Sequence, residues 1–444
     1  MSNGLNPGAE SAHDNLGENR ACLPGGHCGG IWQHPEEVEG KTMKILSGTL
    51  AAGGCALLAL SVSPAFGDSD VSHNWNSENE AEAMRIFRDK YIELGGEWSD
   101  TAFPDSEASI ASVKARFIGG NPPMALQSAL GGVMRDFAEA GLLQNMDEAA
   151  EAGGWADNIS DSIAAVGRYG GHWVAAPVFV DVINWMYTNN DVLDAAGVAQ
   201  PDTWDDFTAS LPALQEAGVV PIAIGGDSWQ EAILFDHVVL AVGGAELYEN
   251  LMTGDAATVA GEQTRRVLEE FAGLRQYTDE GKSGRSWNDT NTLMITGQAA
   301  FFFMGPWAAG GYGDLGPEGG SWSCRLTPWD ASLTVVADGF QFIKVTDESD
   351  MAAQVLLGNA VMDPATQIAA ARAKGTLPVT TVAMASDFEG CPAKAVEAMA
   401  GSTSITHWNG RSADVGNAIK DTASALWNQA IDVDAAHQQL IDKL

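Results

Sequence analysis

Apolar residues along the chain follow two different spacings. In residues 78–94 and 262–277 they recur every three or four positions, which predicts helices with one buried face. Short apolar runs at 219–224 and 297–304 are bounded by glycine and predict buried strands. Because helices and short strands alternate from residue 71 onwards, the pattern predicts an α/β fold.

Two local signals sharpen this reading. Thr203 precedes a helical pattern and Asp206 follows three residues later, an arrangement that predicts a capped helix start. The stretch YGGH at 169–172 separates two short apolar runs and predicts a hairpin turn.

Asp338 lies inside the apolar strand predicted at 335–343, where a lone carboxylate is costly unless it is paired. We expect Asp338 to face a binding site, with a structural hydrogen bond as the alternative.

The stretch GGDSWQE at 225–231 follows one of the predicted strands. We expect a glycine-led loop that presents the indole of Trp229 together with the amide of Gln230 and the carboxylate of Glu231. A flat ring beside hydrogen-bonding groups suits a sugar, because the ring covers the apolar face while its neighbours bind hydroxyls. The alternative is that Trp229 packs in the core.

The N-terminal region has the pattern of an export signal. Residues 43–67 combine Met-Lys, a long apolar run and small residues before a cleavage point, which predicts a secretory signal peptide and a periplasmic location. A membrane anchor is one alternative, and Cys55 suggests a lipoprotein signal as a second alternative. We expect residues 1–42 to be a mis-assigned upstream extension, with an unusually long leader as the alternative.

Composition excludes several classes of function. The formal net charge of −36 opposes binding to nucleic acid and to anionic lipid. Fourteen tryptophans are many for 444 residues and favour carbohydrate binding. After the signal peptide two cysteines remain, Cys324 and Cys391, and an even number in an exported chain indicates a disulfide, with two free thiols as the alternative. The histidine spacing matches no metal motif, so we expect no metal and no cofactor.

The chain resembles the extracellular solute-binding proteins (family 1) of ABC sugar importers, and among them the glucose/mannose-binding proteins of Gram-negative bacteria. The resemblance covers roughly residues 70–444. The matching stretches are ARFIGGNPP (115–123), INWMYTNNDVLDAAGV (183–198), TWDDF (203–207), GGDSWQE (225–231), GQAAFFFMGPWA (297–308), AKGTLPV (373–379) and THWNG (406–410).

The resemblance implies a type II-like periplasmic-binding-protein fold, with two lobes, an interlobe cleft and several crossover hinge strands. By analogy the N-terminal lobe is 68–179 plus 330–374, and the C-terminal lobe is 180–329 plus 375–444. The family carries a cysteine pair at the positions of Cys324 and Cys391. It also implies a non-enzymatic, monomeric protein that delivers a carbohydrate to an inner-membrane ABC permease.

The resemblance also implies a set of cleft residues. Trp75 and Trp307 match aromatic positions, with core packing as the alternative for each. Lys374 and His407 match polar contacts, with a surface location as the alternative. The full set of expected ligand-binding residues is Trp75, Asp181, Trp229, Gln230, Glu231, Trp307, Asp338, Lys374 and His407.

This sequence departs from the glucose-binding members at several cleft positions. Asn74 replaces a tryptophan, Leu130 replaces a sugar-contacting lysine, and Asp181-Val182 replaces a His-Arg pair. The ligand is therefore expected to be glucose, mannose, a related hexose, a polyol or a glycoside, with Asp181 as a new hydroxyl acceptor. The alternatives are a sensor that presents ligand to a chemoreceptor and a secreted glycoside hydrolase, although no carboxylate pair is marked for catalysis.

Overall fold

The computed structural model describes residues 68–399, 404–407 and 410–444. The predicted extension at 1–42 and the predicted signal peptide at 43–67 lie outside these residues. The described strands, numbered in chain order, are β1 (Val71–His73), β2 (Asp100–Ala102), β3 (Ala125–Ala129), β4 (Arg168–Tyr169), β5 (His172–Trp173), β6 (Ala175–Val182), β7 (Trp185–Asn189), β8 (Val220–Ala223), β9 (Ala299–Met304), β10 (Trp322–Leu326), β11 (Leu333–Phe342), β12 (Leu377–Pro378) and β13 (Ser404–Thr406).

Helices alternate with these strands, as the pattern predicts. The described α-helices are α1 (Glu78–Glu93), α2 (Ser106–Ile118), α3 (Gly132–Glu139), α4 (Asp147–Gly153), α5 (Asp161–Val166), α6 (Asn190–Ala196), α7 (Trp204–Glu216), α8 (Ser228–Met252), α9 (Ala256–Val259), α10 (Glu262–Leu274), α11 (Trp287–Ile295), α12 (Glu348–Val361), α13 (Pro364–Lys374), α14 (Gly390–Met399), α15 (Ala413–Trp427) and α16 (Val433–Lys443). Short 3₁₀ segments lie at Arg275–Tyr277, Glu280–Lys282, Pro306–Leu315 and Ala385–Asp387.

Two main sheets organise the described part of the chain. The larger has seven strands in the order β12-β6-β11-β3-β1-β2, with β13 paired to β11. The smaller has four strands in the order β10-β7-β9-β8. Helices α2, α12 and α13 pack with the larger sheet and α1 packs on α12 and α13, whereas α7, α8 and α11 pack with the smaller sheet. These are two α/β lobes, each with its own hydrophobic core, as the fold prediction requires.

The chain passes between the sheets without a flexible linker. Strand β6 of the larger sheet leads through residues 183–184 into β7 of the smaller sheet, and residues 327–332 lead back from β10 to β11. Asn184 joins the two crossings. Its buried amide donates to Thr327 Oγ1 (3.0 Å) and to the Ser332 carbonyl (2.8 Å). The connections are therefore a hydrogen-bonded unit, which sets the lobes around a defined cleft.

Two local predictions are confirmed. Thr203 caps α7, because its side chain accepts a hydrogen bond from the Asp206 backbone N–H. Strands β4 and β5 form the expected antiparallel hairpin. The Cys324–Cys391 disulfide is present and ties β10 to α14. Within the described residues, the structure contains no helix that has both the length and the apolar character needed to span a bilayer. The lobe boundaries drawn from the resemblance stay a prediction.

Candidate functional site

A cavity of about 630 Å³ lies between the lobes. Its wall includes seven of the nine residues expected to bind ligand. Two of these lie on strands β6 and β11 of the larger sheet, and the other five lie on helices α8 and α13, on the 3₁₀ segment after β9, and on the residues that follow β1 and β13. The seven are Trp75, Asp181, Trp229, Trp307, Asp338, Lys374 and His407. Gln230 and Glu231 are not among the lining residues. Long-range folding thus gathers residues that are up to 332 positions apart in the sequence (407 − 75).

The floor of the cavity is a buried charged cluster around Lys374. The ammonium Nζ lies 3.1 Å from Asp181 Oδ2 and 3.4 Å from Asp338 Oδ2. Lys374 is only 1% exposed, so the predicted alternative of a surface lysine is not what the structure shows. Strands β6 and β11 are neighbours and bring the two aspartates together, because Asp181 pairs with Val336 and Asp338 lies two residues further along β11.

Hydrogen bonds hold both carboxylates of this cluster in place. Asp338 Oδ1 accepts from Gln127 Nε2 (2.7 Å) and from the Gly339 backbone N–H (2.9 Å). Asp181 Oδ1 accepts from the Thr376 hydroxyl. The expectation that a carboxylate at position 338 must be paired is therefore met by Lys374 and Gln127. The cluster offers fixed acceptors and one fixed cation, which is chemistry suited to hydroxyl groups.

Burial and charge act against each other in the cluster. Burial acts to lower the pKa of the Lys374 ammonium, but the surrounding carboxylates outweigh it and raise that pKa. Burial raises the pKa of the Asp338 carboxyl, and Lys374 opposes this rise. The pKa of nearby Glu80 is raised for the same reason. Within the described residues, no group of three or more His, Cys, Asp or Glu side chains is arranged to hold a metal ion.

Aromatic rings surround the ammonium. Lys374 Nζ lies 5.2 Å from the centre of the Trp75 ring, 5.0 Å from that of Phe179 and 5.6 Å from that of Trp307. Trp75 is 3% exposed and packs on Phe179, so it serves the core and the cavity wall together. Trp307 is half-buried and is the second residue of the 3₁₀ segment that follows β9. Its ring folds back over Gly305, where a Cβ would lie 2.2 Å from the ring.

His407 lines the cavity from a segment distant in sequence from the aromatic residues around Lys374. It follows β13, and its Nε2 lies 3.0 Å from Asp236 Oδ2 on α8. Both side chains are buried, so the alternative of a surface-loop histidine does not describe this residue. His407 also lines the cavity, and α8 therefore fixes the orientation of a ring that comes from a different segment.

The interpretation of GGDSWQE as a loop is wrong beyond its first three residues. Asp227 is the N-cap of α8, and the helix begins at Ser228. Consecutive helical residues point about 100° apart, so Trp229, Gln230 and Glu231 cannot face one cavity together. Trp229 lines the cavity, whereas Gln230 turns back over Gly225, where a Cβ would lie 2.1 Å from its Oε1.

Glu231 faces away from the cavity, towards α15. Its Oε1 accepts a hydrogen bond of 2.8 Å from Asn428 Nδ2. Burial raises the pKa of Glu231 to about 7. Asp227 is also buried enough for its pKa to rise, and it accepts a bond from Gln230 Nε2 (2.8 Å). In this structure Gln230 and Glu231 therefore support the start of α8 rather than contact the cavity.

Three residues that line the cavity were not predicted from the sequence. Glu80 completes the capping box of α1 with Ser77, and this local role is enough to account for a glutamate at this position. Its interaction with Lys374 arises only from the tertiary fold. Gln127 is a polar residue in the buried strand β3, which is a signal of the same kind as Asp338. Trp287 directly follows the N-cap Ser286 of α11, so a local reading assigns it to a helix start.

Comparison with known proteins places this geometry in a family. Residues 98–322 match the model of the bacterial extracellular solute-binding proteins. A probable sugar-binding periplasmic protein of Rhizobium meliloti is 32% identical over 404 residues, which cover 88% of this chain and 97% of that protein. The chain belongs to the bacterial extracellular solute-binding proteins. The members of this family are binding proteins rather than enzymes. The cleft between the two lobes of this chain agrees with that assignment.

A second relative supports the family assignment, and solved structures support the fold. A probable sugar-binding periplasmic protein of Mesorhizobium japonicum is 34% identical over 86% of this chain and 93% of its own length. A chitin oligosaccharide binding protein superposes with a TM-score of 0.73 at 18% identity, over 85% of this chain and 98% of that one. The maltose-bound MalE3 of T. maritima gives 0.69 at 17% identity, over 84% and 98%. These structures share the fold of this solute-binding protein.

Proposed function

We propose that this solute-binding protein is the periplasmic component of an ABC-type carbohydrate importer, and that it binds a sugar in the interlobe cavity for delivery to an inner-membrane permease. The observation that carries the proposal is the pairing of indole faces with buried charged groups around one cavity. Trp307 and Trp229 supply the rings, and Lys374, Asp181 and Asp338 supply donors and acceptors. The curated relatives bear the name probable sugar-binding periplasmic protein, which supports the same conclusion.

The chemistry of the cavity suits a neutral, hydroxyl-rich ligand. A pyranose ring has apolar C–H faces, which pack on indole, and a polar edge, whose hydroxyls bond to charged groups. Burial of such a ligand between the lobes would remove water from these bonds and strengthen them. The ligand is proposed to be glucose, mannose or a related hexose, a polyol or a glycoside, and the protein to act as a monomer.

The test is a binding measurement on the purified protein. A thermal-shift screen against monosaccharides, disaccharides and polyols identifies the ligand, since a bound ligand stabilises the folded state. Calorimetry then compares the wild type with Trp307→Ala. We expect the variant to lose about 1–3 kcal/mol of binding free energy, the range found for a base stacked on an aromatic ring.

Trp98→Ala is the matched control. Trp98 is half-buried and packs on Tyr91, with its indole N–H bonded to Asp100, and it does not line the cavity. We expect this variant to bind the ligand as the wild type does. Equal losses in the two tryptophan variants, or no loss in either, would contradict the proposed site. Absence of binding to every carbohydrate in the screen would contradict the function itself.

A further inference from the structure

The cavity extends well beyond the charged floor around Lys374. Its outer wall is formed by α2 and α3 of one lobe, which contribute Ile110, Ala111 and Val133, and by α11 of the other lobe. Pockets of roughly 300–1,000 Å³ typically enclose drug-sized ligands, which are larger than a single hexose. A volume of about 630 Å³ therefore leaves room beside one sugar ring.

The lobes already touch on both sides of this cavity. On one side lie the crossing segments that Asn184 joins. On the other side α15 packs against α3, and Lys420 Nζ of α15 lies 3.0 Å from Glu107 Oε1 of α2. The size of the cavity is therefore a property of lobes that are in contact, not of lobes that stand apart.

Three half-buried indoles form a continuous wall along the cavity. The Trp307 ring is central, with its centre 6.1 Å from that of Trp229 and 6.4 Å from that of Trp287. Trp307 also lies next to the buried Lys374, whereas Trp287 is followed by the exposed Asn288. The wall thus runs from the charged floor towards the rim. One sugar ring beside Lys374 and Trp307 would leave Trp287 uncovered.

We infer that the cavity takes a carbohydrate of at least two linked rings. The inner ring lies over the floor, where Asp181, Asp338 and Lys374 bind its hydroxyls. The outer ring lies between Trp287 and the α2 face that carries Ala111. This inference rests on the proposed function, because it assigns positions to a sugar in the same site. It makes Trp287 a residue that selects ligand length rather than ligand chemistry.

Calorimetry with matched series of sugars tests the inference. The probes are glucose with maltose and maltotriose, glucose with cellobiose and cellotriose, and N-acetylglucosamine with its β-1,4-linked dimer and trimer. We expect one dimer or trimer to bind at least tenfold more tightly than its own monomer. If no dimer or trimer binds at least tenfold more tightly than its own monomer, and the wider screen finds only monosaccharides or polyols as ligands, the inference is overturned while the proposed function stands. If no carbohydrate binds in these series or in the wider screen, both are overturned.

Two variants separate the outer position from the inner one. Trp287→Ala should weaken the longer sugar by about tenfold and change monomer affinity by less than twofold. Ala111→Trp places a ring in the outer position from an exposed site on α2, and should weaken the longer sugar without changing monomer binding. Melting temperatures show that each variant is folded. Equal weakening of monomer and longer sugar in both variants would show that no separate outer position exists.

Discussion

Replacement of Lys374 by methionine tests the charged floor of the cavity directly. Methionine keeps most of the side-chain length but removes the ammonium that lies 3.1 Å from Asp181 and 3.4 Å from Asp338. The two carboxylates then remain buried without a cation. We expect a large loss of folding stability in the absence of ligand, because an uncompensated buried charge is among the costliest defects in a protein.

The expected magnitude follows from the geometry. Unit charges about 4 Å apart attract by roughly 4 kcal/mol at an effective dielectric constant near 20, and two such attractions are lost. The variant no longer has to desolvate an ammonium, which offsets part of this loss. Removal of one partner from a buried ion pair usually costs about 3–5 kcal/mol, and we expect a value in that range here.

The pH dependence gives the prediction a second readout. In the wild type, Lys374 opposes the rise that burial causes in the pKa of Asp338 and of Glu80. Without the lysine these carboxyl pKa values rise further, so the folded variant binds protons that the unfolded chain releases. Stability then falls as pH rises above the ordinary carboxyl pKa. The difference from the wild type should therefore be largest near neutral pH and shrink as the solution is acidified.

Urea denaturation, followed by tryptophan fluorescence and circular dichroism at several pH values, measures these differences. Lys344→Met is the matched control, because Lys344 is exposed and its replacement should change stability by less than about 0.5 kcal/mol. A second variant, Lys374→Met with Asp181→Asn, should recover part of the loss. A loss below about 1 kcal/mol that does not depend on pH would refute the account of the cluster as an ion pair.

Three further predictions concern stability. Replacing Cys324 and Cys391 by serine opens a loop of 67 residues and should cost about 4 kcal/mol in urea denaturation; unchanged stability would mean that the loop is held by other contacts. Thr203→Ala removes the cap of α7 and should cost about 1 kcal/mol, whereas Thr203→Asp should keep the cap and most of the stability. Burial raises the pKa of Glu231 from 4.5 to about 7, so that wild-type stability falls as pH rises through this interval; Glu231→Gln should flatten that part of a stability–pH curve, and an unaltered slope would assign it to other groups.

The parts of the fold that depend on local chemistry follow from the sequence. The capped start of α7 needs only Thr203 and the backbone that it accepts from, and the hairpin of β4 and β5 needs only two glycines between short strands. The apolar run predicted as a strand at 297–304 forms β9, and all six of its residues, Ala299–Met304, are buried. Such elements can be predicted from the sequence, because the interactions that define them are between residues close together in the chain.

The start of α8 shows where local patterns fail. This helix is buried on every side from Gln230 to Leu240, so it lacks the one-sided periodic pattern that marks an amphipathic helix. Two glycines before Asp227 then suggest a loop, and the helix that follows is missed. The error changed the interpretation of the site, because only a loop could present Trp229, Gln230 and Glu231 to one ligand.

The residues that line the cavity could be predicted only in part from the sequence, because local patterns do not show long-range packing. Asp338 was identifiable because a carboxylate in an apolar strand demands a partner. Glu80 and Trp287 were not, since each has a sufficient local role at the start of a helix. Glu80 and Trp287 reach the cavity because of how α1 and α11 pack. That packing involves contacts between residues that are far apart in the sequence. Residues with two roles are therefore hidden when the first role is local.

Lys374 connects the folding of this protein to its binding. As the last residue of α13 it lies at the negative end of a helix, and Gly375 ends that helix with a positive φ of 86°. Asn79 donates to the carbonyls of Lys374 (2.8 Å) and Trp307 (3.0 Å), so one side chain fixes the cation and the ring beside it. A ligand bound as proposed would meet groups on the floor that are already held in place. Burying three carboxylates beside one ammonium costs folding stability. In return the proposed site is already ordered in the absence of ligand, which lowers the cost of binding.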